Sequence, residues 1–225
     1  MMATKAVVLL SGGLDSTTAL YLAHSKGLEL YAVSFVYGQR HDKELQCAQW
    51  QAEHLQVKKH YVIDLSFTAW DTSSLTHNAA GNNIEVGNLQ RVEAPNTYVP
   101  ARNMVFLSIA ASVAESVGAQ YIYIGVSEAD YSGYVDCRES FIKAMQAAIN
   151  QGTERKIING TPIEIYAPFL HANKAEEVIM GVQLGVDFSH TWSCYKGGEH
   201  PCGQCDSCLL RARAFAEAGV PDPLT

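Results

Sequence analysis

The stretch that decides the fold lies near the start of the chain and has the sequence AVVLLSGGLDS (residues 6–16). Its first five residues form a continuous apolar run, which is typical of a strand buried on both faces of a parallel sheet. Two adjacent glycines follow, and apolar residues then recur at helical spacing from Ser16 until Gly27 ends the helix. The sequence therefore predicts a buried strand, a tight glycine turn and a helix in immediate succession.

The turn between that strand and that helix has the composition of an anion-binding loop. Glycines let the backbone approach a bound group closely, and the free N–H groups of a helix N-terminus hold a phosphate with help from the helix dipole. It is not a Walker loop, because the GxxxxGK[ST] spacing is absent, and its adjacent glycines do not fit the dinucleotide pattern GxGxxG. The turn predicts a phosphate site, with a plain strand-to-helix connection as the alternative.

Strand-like and helix-like stretches alternate along the rest of the chain. Strands are predicted at residues 28–36, 59–65 and 121–126, and helices at 42–55, 102–117, 140–149 and 174–184. A weak hairpin is predicted at 156–165, and residues 66–98 form a long polar stretch with little periodicity. This alternation predicts an α/β fold, a doubly wound and mostly parallel sheet with helices on both faces.

Composition argues against several classes of protein. The chain has 225 residues, of which 48% are apolar and 17% charged, and this suits one soluble domain with a small appendage. Its net charge of −7 opposes broad binding to a nucleic-acid backbone. No stretch approaches the roughly 18 apolar residues that a membrane span needs, and the start lacks a signal-peptide pattern. We expect a cytoplasmic protein that binds neither nucleic acid nor membrane.

Four of the six cysteines lie near the C-terminus with the spacing C-x7-C-x2-C-x2-C. Four thiolates at tetrahedral positions form the usual closed, structural zinc site. An iron–sulfur cluster, which also uses C-x2-C-x2-C runs, is the alternative, and free thiols are a third. The sequence predicts a zinc-binding segment with a C-terminal helix at 190–225, packed on an α/β domain at 1–189. The predicted ligands are Cys194, Cys202, Cys205 and Cys208.

The loop SGGLDS (11–16) resembles the SGGxDS signature of the PP-loop ATP pyrophosphatases, which activate an oxygen as an adenylate and release pyrophosphate. Three further segments narrow the resemblance, namely FVYGQRH (35–41), VPARN (99–103) and GVSEADYSGYVDCR (125–138). Together with the cysteines, and in this order along nearly the whole chain, they are similar to the 7-cyano-7-deazaguanine synthases of the queuosine pathway. One departure is Val135, where that family is expected to have proline.

The resemblance implies an ATP-dependent C–N ligase that forms a nitrile from a 7-deazaguanine carboxylate and ammonia. The carboxylate is expected to pass through an acyl-adenylate and an amide, with two ATP split to AMP and pyrophosphate. Mg²⁺ is expected to accompany ATP, ammonia to arrive free or from a separate partner, and the chain to form a homodimer. A tRNA thiolase of the same fold and a nucleotide-binding sensor without chemistry are the alternatives.

Two of these segments contribute candidate ATP ligands. Arg102 and Asn103 begin a helix near the carboxyl ends of the strands, where ligands bind in open α/β sheets, and Arg102 can hold pyrophosphate with its fork of donors. Phe35 and Tyr37 are placed to flank an adenine, with a core role as the alternative. The predicted ATP-binding residues are Leu10, Ser11, Gly12, Gly13, Leu14, Asp15, Ser16, Thr17, Phe35, Tyr37, Arg102 and Asn103. The predicted catalytic residues are Ser11, Asp15, Ser16, Arg102 and Lys174, the last by resemblance to a lysine near the ATP phosphates. For Arg102 and Lys174, a solvated position in the first turn of a helix is the alternative.

The segment at 130–138 combines rings and charges that suit a flat heterocycle. A carboxylate can accept hydrogen bonds from a guanine-like N1–H and amine, an arginine can pair with a substrate carboxylate, and a tyrosine ring can stack on the base. A surface turn before a helix is the alternative. The predicted substrate-binding residues are Asp130, Tyr131, Tyr134, Asp136 and Arg138.

Overall fold

A computed structural model describes residues 3–65, 70, 72–76, 83–90, 93–127 and 134–225 of the chain. Within these residues, five strands form a sheet. They are β1 (Lys5–Leu9), β2 (Glu29–Val36), β3 (Lys59–Asp64), β4 (Tyr121–Tyr123) and β5 (Glu164–Tyr166). Their order is β3-β2-β1-β4-β5, and every neighbouring pair is parallel.

Seven helices flank the sheet in the described part of the chain. They are α1 (Leu14–Ser25), α2 (Lys43–His54), α3 (Arg102–Val117), α4 (Glu139–Gly152), α5 (Glu154–Asn159), α6 (Lys174–Leu184) and α7 (Asp206–Ala218). Short 3-10 turns occur at Val135–Cys137 and Phe188–His190. None of the helices described is long and apolar enough to cross a membrane.

Alternate residues of β1 enter different cores, which explains why this strand is apolar throughout. Val7 and Leu9 pack with residues of α3 and α4, whereas Ala6 and Val8 pack with residues of α1 and α2. The sheet is therefore covered on both faces, as parallel sheets usually are. This arrangement confirms the predicted doubly wound α/β fold.

The predicted helices at 102–117 and 174–184 are confirmed with the same bounds, but the hairpin predicted at 156–165 is wrong. The first part of that segment lies in α5, Gly160 follows in the left-handed conformation with φ of 66°, and β5 pairs parallel with β4. The β-branched residues there favour a strand by propensity. A tertiary contact opposes it, because the Arg155 N–H donates to Glu115 Oε1 of α3 at 3.1 Å.

The helix α7 packs the C-terminal segment onto α1 and α6. Its Phe215 shares a core cluster with Leu14 of α1 and Val178 of α6. Arg211, also on α7, forms a buried ion pair with Asp222, with Nε 2.7 Å from Oδ2. The cysteine segment is thereby held against the N-terminal end of α1, which follows the glycine turn.

Candidate functional site

After β1 the chain forms β2 and β3 on one side of β1, and β4 and β5 then lie on the other side. In open α/β sheets, ligands bind outside the carboxyl ends of the strands where the order reverses in this way. A cavity of about 320 Å³ lies at this place and is lined by the loop at 11–16, the ends of β2 and β4, and the start of α3. The sheet topology therefore positions the site.

Serine hydroxyls organise the loop between β1 and α1. The Ser11 N–H donates to Ser16 Oγ at 3.1 Å, and the two hydroxyl oxygens lie 3.0 Å apart. Ser16 Oγ also donates to the Gly13 carbonyl at 3.2 Å. Gly13 is the N-cap residue of α1 and provides no side-chain cap, so the first N–H groups of the helix stay available for a ligand. A phosphate fits this arrangement.

Two glycines allow other elements to approach this loop. Gly12 has a φ of 87°, and a β-carbon there would collide with the Glu44 carbonyl oxygen of α2. At Gly125, a β-carbon would lie 2.7 Å from Asp15 C and 2.8 Å from Ser16 N. Both positions therefore require glycine, and the loop is held between α2 and the end of β4.

Lys174 connects the loop to α6. Its Nζ lies 2.6 Å from Asp15 Oδ2, and 3.1 Å and 3.2 Å from the two carboxylate oxygens of Glu177. Burial alone would lower the pKa of Lys174, but attraction by the two carboxylates outweighs it, so the pKa is raised and the ammonium stays charged. Burial, with repulsion from Asp15 added, raises the pKa of Glu177. The triad fixes a positive charge beside the loop.

Arg102 supplies a second fixed charge, among aromatic side chains. Its NH1 donates to Tyr37 Oη at 3.2 Å, and its guanidinium lies 5.7 Å from the centre of the Tyr37 ring. Burial lowers the pKa of Arg102, but Tyr37, Tyr134 and Asp136 raise it more, so the guanidinium stays charged. Tyr134 Oη lies 2.9 Å from Thr97 Oγ1, within hydrogen-bonding distance, and Tyr134 and Tyr195 both line the cavity. Two permanent cations and neutral rings thus face one space.

The rings predicted to flank an adenine belong to both the core and the cavity wall. Phe35 stacks on Phe106 with ring centres 3.9 Å apart and planes 8° apart. Tyr37 packs edge-on against Trp70 and Phe106. Phe35 and Tyr37 nevertheless line the cavity, so the two alternatives drawn from the sequence are compatible.

Asp136 lies behind the wall, at the start of α3. Its Oδ2 accepts a hydrogen bond from the Asn103 N–H at 3.2 Å, and its carbonyl accepts one from Asn103 Nδ2 at 3.0 Å. The first N–H groups of a helix lack helical partners, so Asp136 satisfies one of them. The structure gives this carboxylate a role in holding α3, and the predicted contact of Asp136 with a heterocycle stays a prediction. Beside it, burial raises the pKa of the Cys137 thiol to about 12, which keeps that thiol neutral.

Most of the predicted site residues line the cavity. Those that do are Leu10, Ser11, Gly13, Leu14, Asp15, Ser16, Phe35, Tyr37, Arg102, Asn103, Tyr134 and Lys174. Gly12 contacts α2 instead, and Thr17 is buried, with a hydroxyl that has no hydrogen-bond partner in the described part of the chain. Arg138 is exposed and does not line the cavity, and Asp130 and Tyr131 lie outside the described residues.

Several lining residues were not predicted. Glu44 lies in the first turn of α2, and burial, opposed by attraction to Arg102, raises its pKa to about 7. Trp192 and Tyr195 flank the first cysteine of the cluster and also line the cavity. Glu177, which holds Lys174 without lining the cavity, was also missed, although it follows Lys174 by three residues on a helix, a spacing that places two side chains on one face.

The four predicted metal ligands come together. Their Sγ atoms all lie within 4.8 Å of one another, and Cys202 Sγ is 3.8 Å from Cys208 Sγ. Four thiolates about 2.3 Å from a central ion would lie about 3.8 Å apart at the corners of a tetrahedron, so this donor set fits a tetrahedral metal ion. Because Trp192 and Tyr195 adjoin Cys194, the metal-binding segment also forms part of the cavity wall.

Comparisons with known proteins identify the family. A family model described as "Queuosine biosynthesis protein QueC" matches residues 5–219. The 7-cyano-7-deazaguanine synthase of Clostridium kluyveri is 54% identical over 220 residues, covering 98% of this chain and 96% of that protein. The synthase of a Nostoc species is 48% identical over 225 residues, with coverage of 98% and 96%. A solved complex of a 4-thiouridine synthetase with RNA and bound ATP is similar in fold, with a TM-score of 0.50 and 18% identity over 95% of this chain and 53% of that one. The chain therefore belongs to the family of the queuosine biosynthesis protein QueC.

Proposed function

We propose that this protein converts 7-carboxy-7-deazaguanine and ammonia to 7-cyano-7-deazaguanine, acting as a C–N ligase that splits ATP to AMP and pyrophosphate. Relatives that carry the name of this synthase are 54% and 48% identical over nearly the full length. The observation in this chain that carries the proposal is the cavity where the loop at 11–16, Lys174 and Arg102 meet. Free helix N–H groups together with two fixed cations suit the phosphates of a nucleoside triphosphate.

The chemistry requires activation of the carboxylate, because its oxygens are poor leaving groups. One oxygen attacks the α-phosphorus of ATP, pyrophosphate leaves, and an acyl-adenylate results. Ammonia then attacks the acyl carbon, and AMP leaves with the electron pair of the broken C–O bond, which gives the amide. A second adenylation, on the amide oxygen, followed by loss of AMP and of the nitrogen protons, gives the nitrile. One cavity can serve both steps, since acid and amide differ by one group.

The residues of the cavity have distinct roles in this proposal. Ser11, Ser16 and the first N–H groups of α1 hold the phosphates of ATP. Lys174, oriented by Asp15, and Arg102 offset the negative charge that develops as pyrophosphate departs. Mg²⁺ bound with ATP would neutralise further phosphate charge, and Asp15 is the nearest carboxylate of the loop that it would meet.

Zinc suits the four-cysteine cluster in a structural role, because thiolates fill all four positions and none is left for substrate. We place the zinc-binding segment at 190–225 and the α/β domain at 1–189.

Ammonia arrives free or from a separate partner. The protein acts as a cytoplasmic homodimer that binds no membrane and, given its net charge of −7, no nucleic acid.

Exchange of labelled pyrophosphate into ATP tests the first step. With 7-carboxy-7-deazaguanine, ATP and no ammonium, reversible formation of the acyl-adenylate should carry label into ATP, whereas a deazaguanine without the carboxylate should support none. Lys174→Met should reduce this exchange at least tenfold. Lys143→Met is the matched control, since Lys143 is 72% exposed on α4, lies outside the cavity wall and pairs with Glu139 of the same helix. Absence of acid-dependent exchange in the wild type would contradict the proposed function.

A further inference from the structure

Glu44 is an acidic side chain of the cavity to which the steps above assign no role. Two acidic residues, Asp15 and Glu44, are among those that line it. Asp15 is held by Lys174 at 2.6 Å. For Glu44, by contrast, the described residues provide neither a hydrogen bond to the carboxylate nor an ion pair within 4.0 Å. A ligand that donates hydrogen bonds stabilises a carboxylate that is partly buried without a hydrogen-bond partner.

The position of Glu44 places this ligand at the reacting end of the cavity. The N-terminal part of α2 packs so closely on the loop that a β-carbon on Gly12 would collide with the Glu44 carbonyl oxygen and lie 2.7 Å from Ala48 N. The carboxylate therefore lies within one glutamate side-chain length of the loop that holds the phosphates. The carbon that is adenylated must lie next to those phosphates.

The amidine edge of the heterocycle is a poor match for this position. In a 7-carboxy-7-deazaguanine, that edge lies on the six-membered ring, away from the carboxylate on the five-membered ring. When the substrate carboxylate meets ATP at the loop, the amidine edge points away from the loop and from Glu44. A ligand at Glu44 must instead be small and must meet the activated carbon.

The aromatic side chains of the cavity suit a small cation. Tyr37, Trp192 and Tyr195 line the same cavity, and aromatic faces attract ammonium groups. Burial raises the pKa of Glu44 to about 7, whereas attraction to Arg102 opposes the rise. The carboxylate is thus one that can bind a cation and accept one of its protons.

We propose that Glu44 binds the ammonium ion that supplies the nitrile nitrogen and holds it beside the activated carbon, an inference that rests on the proposed function. Ammonium has no lone pair, so one N–H proton passes to the Glu44 carboxylate before attack. The freed lone pair forms the C–N bond, and AMP leaves with the electron pair of the C–O bond. The extra proton on the new amide nitrogen passes to water.

Three measurements on Glu44→Gln test this assignment. They are acid-dependent pyrophosphate exchange without ammonium, kcat/KM for ammonium in nitrile formation, and conversion of the synthetic amide to the nitrile. We expect exchange and amide conversion within threefold of the wild type, because neither needs free ammonium. We expect kcat/KM for ammonium to fall at least tenfold, mainly through KM, so that high ammonium restores part of the turnover.

A matched control and a second variant keep the test decisive. Glu53→Gln removes an exposed carboxylate from the same helix outside the cavity and should change none of the three values. Should Glu44→Gln fail to fold, Glu44→Asp keeps the charge on a shorter side chain and should raise KM for ammonium alone. Equal loss of exchange in a Glu44 variant, or an unchanged kcat/KM for ammonium, would overturn the proposal. Absence of exchange in the wild type would overturn the proposed function as well. Normal exchange in the wild type with an unchanged kcat/KM for ammonium in Glu44→Gln would overturn the role of Glu44 alone.

Discussion

Gly125 sets the distance between the end of β4 and the phosphate loop, so an added methyl group at this position tests how the loop is held. In Gly125→Ala the β-carbon would lie 2.7 Å from Asp15 C, 2.8 Å from Ser16 N and 2.9 Å from Asp15 O. Favourable carbon contacts lie at about 3.5–4.0 Å. The loop or the strand must therefore move by roughly 0.5–1 Å, and the contacting atoms are backbone atoms that cannot rotate away.

The expected effect is large on catalysis and moderate on stability. Overpacking of this kind costs about 1–3 kcal/mol, which corresponds to a fall in Tm of roughly 2–12 °C for a domain of this size. A displacement of about 1 Å at a site that positions reacting groups can lower the rate on the order of 100-fold. We expect acid-dependent pyrophosphate exchange to fall by about 10- to 100-fold in a protein that still folds.

Gly152→Ala is the matched control for this variant. Gly152 is the last residue of α4, and an added β-carbon there meets no atom within 4 Å. Alanine in a helix is about 0.5–1 kcal/mol more favourable than glycine, so Tm should stay or rise slightly and exchange should not change. Circular dichroism melting and the exchange assay measure both variants. Normal exchange at a normal Tm in Gly125→Ala would refute the reasoning that this close approach positions the loop.

Two further substitutions test the metal cluster and the start of α3. Cys202→Ser should lower the amount of bound zinc, measured by elemental analysis, and lower Tm, and activity should fall as a consequence. Cys47→Ser, which removes a cysteine that is not among the four ligands, should keep the metal. Iron in the wild-type protein would contradict the assignment of zinc. Asp136→Ala removes the acceptor of the Asn103 N–H, and loss of a helix cap costs about 0.5–2 kcal/mol. We expect a lower Tm and similar rises in KM for ATP and the heterocycle, whereas a rise in KM for the heterocycle alone would support the predicted recognition role.

Local patterns were sufficient to predict four of the five described strands and the glycine turn between β1 and α1. The apolar run of β1, the adjacent glycines and the helix that follows are consecutive in the chain, so their geometry depends on few distant contacts. The position of Lys174 followed from the resemblance. Its partner Asp15 could have been inferred from topology, since a helix after β5 and the loop after β1 meet at one edge of the sheet.

The errors and omissions arise from contacts between distant segments. The hydrogen bond from the Asn103 N–H to the Asp136 carboxylate was not predicted, because Asn103 lies 33 residues earlier in the chain. Glu44 entered the site only because Gly12 lets α2 approach the loop. Helix α5 replaced the first arm of a predicted hairpin because the start of α5 is tied to α3, while β5 pairs with β4. In each case the sequence spacing carries no signal of the partner.

The stoichiometry of the complete reaction tests the proposed function most directly. ATP, 7-carboxy-7-deazaguanine and ammonium would be incubated with the protein, and AMP, pyrophosphate and the nitrile would be quantified together by mass spectrometry and an enzymatic pyrophosphate assay. We expect two AMP and two pyrophosphate for each nitrile, and one of each, without ammonium, when the synthetic amide is supplied. Formation of ADP and orthophosphate, or failure to convert the amide, would contradict the mechanism.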